Sequence, residues 1–109
     1  SGSAQRRKEN YRTLSSFLDA SNPLPFREPS VPLCYPYYTP NGLEIRKKLA
    51  EKKIYVPVNW KNVVNEMPKD STEYRYAANI LPLPCDQRYT TSDMERVAAA
   101  VLRLCGRNL

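Results

Sequence analysis

Asp86, Gln87, Arg88 and Tyr89 set an acid, an amide, a base and a phenol side by side. A guanidinium in that setting can grip a carboxylate or a phosphate with its fork of donors. Asp86 and Arg88 can also pair with each other and stiffen a turn, a purely structural use. Tyr35, in the tyrosine-rich run CYPYY, and Trp60, just after IYVPVN, are the aromatic candidates to line a cleft. Each competes with a role as a packing group. The candidate substrate-cleft residues are therefore Arg88, Tyr89, Asp86, Gln87, Tyr35 and Trp60.

Other chemistries are excluded by what the chain lacks. It has no His, which removes a Ser-His or Cys-His nucleophile and the commonest zinc ligand set. Its glycines, at positions 2, 42 and 106, are too far apart to cradle a phosphate. No catalytic residue and no metal site is expected. Cys34, Cys85 and Cys105 form no CxxC pair. An odd count at wide spacing suits free thiols in a reducing cytoplasm. No apolar run approaches the ~20 residues that span a bilayer, so no membrane association is expected.

The net charge is +6, from 17 Lys and Arg against 11 Asp and Glu. Such an excess raises nucleic acid or another polyanion as a partner. The basic residues are dispersed, however, and the two clusters, Arg6-Arg7-Lys8 and Arg46-Lys47-Lys48, fall on expected helices. They read as solvated helix faces, and specific nucleic-acid binding is not expected. A basic RNA- or polyanion-binding module is the alternative function. Against it, no RNP-like Gly-aromatic run accompanies the tyrosines.

The candidates need elements to position them. Arg7, Tyr11, Leu14 and Leu18 repeat at helical spacing and predict a helix from Gln5 to about Asp19. A proline-rich connector follows, from Ala20 to Pro32. Strands are expected at Leu33–Tyr38, Ile54–Val58 and Ile80–Pro84. Between them lie a helix from about Gly42 to Lys52, entered through an Asn41/Glu44 capping box, a short helix near Asn62–Glu66, and another from Ser71 to Asn79. A last helix runs from Asp93 to about Leu104, with Ser92 and Glu95 at capping-box spacing and Gly106 just beyond its end. Pro82 and Pro84 share one strand parity, so both missing N–H groups lie along one edge. The expected class is α+β: a small three-stranded, mostly antiparallel sheet with helices mainly on one face.

Three segments carry a resemblance: Arg6–Tyr11 (RRKENY), Leu43–Trp60 (LEIRKKLAEKKIYVPVNW) and Leu81–Met94 (LPLPCDQRYTTSDM). In their order and spacing they resemble the C-terminal small domain of DegT-like sugar aminotransferases, pyridoxal-phosphate enzymes of the aspartate aminotransferase fold. The resemblance implies that residues 4–109 are one domain of a longer enzyme. Ser1-Gly2-Ser3, without an initiator Met, would be a tag remnant. It further implies a large catalytic domain of the same chain as partner, carrying the Schiff-base lysine and most contacts to pyridoxal phosphate. A homodimer is implied for the full-length protein, with amino transfer to a nucleotide-linked keto-sugar. This fragment by itself would bind no cofactor and be inactive. The Asp86–Tyr89 turn, with Tyr35 and Trp60, would lie nearest the cleft.

Overall fold

The computed structural model describes residues 2–24, 34–58 and 61–106. In chain order its elements are α1 (Gly2–Leu18), a single 3-10 turn (Asp19–Ser21), β1 (Cys34–Tyr38), α2 (Gly42–Glu51), α3 (Lys61–Glu66), α4 (Thr72–Asn79), β2 (Ile80–Pro84) and α5 (Thr91–Leu104). The fold is α+β, built on a small antiparallel sheet of β1 and β2. No helix among the described residues is long and apolar enough to cross a membrane.

Pleating explains the two strands. Tyr35 pairs with Leu83 and Tyr37 with Leu81, and all four side chains are buried. They meet Tyr11, Leu14 and Leu18 of α1 and Met94 and Val101 of α5 in one core. The phenol oxygens still need partners inside it. Tyr35 donates to Asp19 at 2.5 Å, and the Tyr37 hydroxyl lies 2.8 Å from that of Ser21. The 3-10 turn after α1 thus serves both tyrosines.

Pro36 stands opposite Pro82. Neither has an N–H, so this pair fits only where the ladder makes no hydrogen bond. The prolines therefore turn their nitrogens outward, Pro36 along one edge and Pro82 with Pro84 along the other. Both edges resist addition of a further strand by the same means.

The segment 54–58 is not a strand in this structure. Its burial alternates as a strand's would, with Ile54 and Val56 inside and Tyr55 and Pro57 exposed. Its backbone is committed elsewhere. The Ile54 N–H donates to Leu49 O and the Lys53 N–H to Ala50 O, each at 2.9 Å. These bonds close α2 in a Schellman motif, with Lys53 in the left-handed position at φ 63°. The carbonyl of Pro57 accepts from Arg46 Nε at 3.1 Å. Period-2 burial without a ladder is what misled the three-strand expectation.

Two helix starts also differ from expectation. The capping box of α5 is Thr90 with Asp93, not Ser92 with Glu95. Asp93 N donates to Thr90 Oγ1 at 3.2 Å, and Thr90 N to Asp93 Oδ2 at 2.9 Å. Thr90 has the extended backbone that a cap needs, while Ser92 is already helical. At α2 the Asn41 side chain makes no cap bond. Asn79, from the end of α4, accepts the Gly42 N–H instead, at 3.1 Å. The α4 backbone comes so close that a Cβ on Gly42 would stand 2.1 Å from Ala78 O. Glycine is required there by space, not by φ.

Because α4 runs directly into β2, its last carbonyls have no loop to cap them. Arg46 of α2 fills that role. It is buried, and its guanidinium donates to the carbonyls of Ala77, Ala78 and Ile80. This corrects the reading of Arg46 as part of a solvated basic face; Lys47 and Lys48 beside it are exposed. Burial pulls the Arg46 pKa down from its usual value.

Candidate functional site

The Asp86–Tyr89 turn joins β2 to α5, and its own atoms close it. The Tyr89 N–H donates to Asp86 O at 3.1 Å. Asp86 Oδ1 accepts from the Arg88 N–H at 3.0 Å and from Arg88 Nε at 3.1 Å. Asp86 Oδ2 accepts from Arg88 Nη2 at 3.0 Å. The guanidinium is thus docked in two-pronged fashion on the carboxylate two residues before it. It also lies 5.8 Å from the Tyr89 ring centre. The Arg88 side chain remains largely exposed.

The hydrogen bond from the Arg88 side chain is the main reason the Asp86 carboxyl sits below the usual carboxylate range; partial burial opposes it. Arg88 is raised in turn, first by the same bond. The two groups hold each other charged, and the Nε–Nη2 side of the Arg88 fork is already occupied.

The turn is also held from α1, through residues that the site reading did not include. Arg7 Nε donates to Gln87 Oε1 at 2.7 Å. Asn10, fully buried, donates from Nδ2 to the carbonyls of Cys85 (3.3 Å), Asp86 (3.0 Å) and Tyr89 (2.9 Å). An amide nitrogen has two hydrogens, so three acceptors must share them. Asn10 Oδ1 is buried and has no hydrogen-bond partner among the described residues. A signal for Asn10 was present. It sits at helical spacing between Arg7 and Leu14, on the stripe that α1 buries.

Of the candidates, the structure brings together Asp86, Gln87, Arg88 and Tyr89. Tyr35 does not belong with them as a cleft residue. It is fully buried, 5.3 Å from the ring of Tyr11, with its hydroxyl on Asp19 and Asn22. Burial, then the Asp19 hydrogen bond, raises its pKa further. It is a core residue because its strand parity points it inward. Trp60 lies outside the described residues.

The cysteines are free thiols: Cys85 buried, Cys34 and Cys105 half-buried. Burial, more than any other cause, pushes the Cys85 thiol up to about 12. That removes it as a nucleophile near neutrality. No cluster of three or more His, Cys, Asp or Glu among the described residues could hold a metal ion. A cavity of about 580 Å³ lies away from the turn, between α2 and α4, beside Tyr38, Glu44, Lys69 and Arg75. None of the described candidate residues lines it.

Comparison with protein-family models, with curated proteins and with solved structures finds no match to this chain.

Proposed function

We propose that this chain is the C-terminal small domain of a pyridoxal-phosphate-dependent, DegT-like aminotransferase that acts on a nucleotide-linked keto-sugar. Its part is to present a pre-assembled turn at one side of the active-site cleft. The observation that carries this reading is the contact between the first and the third of the motif segments. Arg7 and Asn10 of the first segment hold Gln87 and the backbone of the Asp86–Tyr89 turn in the third. Arg46 of the second holds the carbonyls where α4 becomes β2. The first and third segments, far apart in sequence, are thus joined by direct contacts.

Lys8 is half-buried, and Lys47, Lys48, Lys52, Lys53 and Lys69 are exposed. They do not fit the role of a cofactor lysine, and no chemical step is assigned to them. On this reading that lysine belongs to the large catalytic domain of the same chain, and the full-length enzyme is a cytoplasmic homodimer.

An amino-transfer assay of the full-length gene product, with glutamate as donor and nucleotide-linked keto-sugars as acceptors, tests the proposal. Amino-sugar formation is expected. A full-length product that transfers no amino group to any of them overturns it.

A further inference from the structure

Along α5, Arg96, Ala99, Ala100 and Arg103 fall at i, i+3, i+4 and i+7 and therefore share one face. The opposite face, with Met94, Val97, Ala98 and Val101, is spent on the core. Beside the free face lies the end of α2, with Lys52 and Ile54. These six residues enclose a groove of about 330 Å³. Its floor is apolar and built from small side chains, so a visiting group can approach the helix closely. Its rim is cationic: Lys52, Arg96 and Arg103 are exposed, and no carboxylate lines the groove. None of the three is within ion-pair distance of an acid among the described residues, although Arg96 feels the Asp93 carboxylate one turn back.

We propose that this groove docks an acidic amphipathic segment of a partner protein: one apolar side chain enters over Ala99, Ala100 and Ile54, and flanking carboxylates meet Lys52, Arg96 and Arg103. Charge decides the occupant. A second copy docking the same face would bring six cations together (three from each) and is disfavoured. A single free anion would leave the apolar floor uncovered. An apolar anchor ringed by carboxylates matches both parts of the site. The proposal does not depend on the aminotransferase reading, because none of these residues belongs to the Asp86–Tyr89 turn.

The test is a fluorescence-anisotropy titration of the chain against a labelled peptide in which leucines at helical spacing are flanked by glutamates. Saturable binding is expected. Arg96→Glu with Arg103→Glu should weaken it by about tenfold or more. The control double variant Lys69→Glu with Arg75→Glu, away from the groove, should leave it within about twofold. Ala100→Trp, which fills the groove without altering charge, should also abolish binding; thermal melts check that each variant is folded. Equal weakening by the control would reduce the effect to net charge and overturn the proposal. So would absence of saturable binding, or unchanged binding by Ala100→Trp. Tighter binding to anionic phospholipid vesicles than to the peptide, lost in the same groove variants, would assign the face to a membrane surface and equally overturn it.

Discussion

The side-chain amide of Asn10 donates to the carbonyl of Tyr89 at 2.9 Å, across 79 residues of sequence. The same nitrogen reaches the carbonyls of Asp86 and Cys85, so one residue of the first helix sets the shape of the turn that ends the sheet. Asn10→Ala would leave those buried acceptors short of a donor. The expected loss is roughly 1–3 kcal/mol in unfolding free energy, measured by urea titration. A loss below about 0.5 kcal/mol, the range of an ordinary surface substitution, would show that the turn closes without Asn10.

Arg46 is the second such clamp. Both Arg46→Leu and Arg46→Lys should destabilise the chain, by roughly 2–3 kcal/mol, because carbonyls at the end of α4 lose their donor. Lysine should rescue little, since its point charge cannot reproduce a fork that spans Ala77, Ala78 and Ile80. Lysine fully restoring stability in a thermal melt would mean that charge alone suffices.

Lys53 closes α2 in the left-handed region, at φ 63°. A side chain there costs about 1 kcal/mol that glycine does not. Lys53→Gly should therefore raise stability, provided the Ile54–Leu49 and Lys53–Ala50 bonds persist. A lowered melting temperature would contradict this.

Much of this fold was legible in the sequence because it rests on local rules. The stripe of Tyr11, Leu14 and Leu18 marks α1, Ser71 marks the start of α4, and Gly106, at φ 73°, marks the end of α5. The Asp86–Arg88 pairing was legible too, as the structural alternative to an anion site. What could not be read was long-range. Nothing in a period-2 pattern distinguishes a strand from an extended segment whose donors are spent on a helix end, as at Ile54. No propensity says that Arg46 will be buried while Lys47 stays exposed. Tyr35 is of a type that suits a ligand, yet its strand parity sets it with Tyr37 on the inward face.

The Asp86–Arg88 pair predicts a pH dependence. The Asp86 carboxyl is depressed in the folded chain, so its contribution is complete above the unfolded value, about 3.9. It is lost as pH falls through the lower folded value. Asp93, depressed mainly by the Thr90 N–H, follows the same sign. Amide exchange at Arg88 should therefore be slow near neutrality relative to the intrinsic rate and lose protection below roughly pH 4. Asp86→Ala, which removes the acceptor of the Arg88 N–H, should abolish the effect at the turn and leave the Asp93 cap intact. Protection at Arg88 that persists in Asp86→Ala would contradict this.

On the proposed function, this domain serves a cofactor held by another part of the same protein. The most direct measurement is the absorbance spectrum of the full-length gene product after incubation with pyridoxal phosphate, followed by borohydride reduction and peptide mapping. A visible aldimine band is expected, lost on reduction, with the modified lysine mapped outside residues 1–109. No band in the full-length protein, or a modified lysine within these residues, would contradict it.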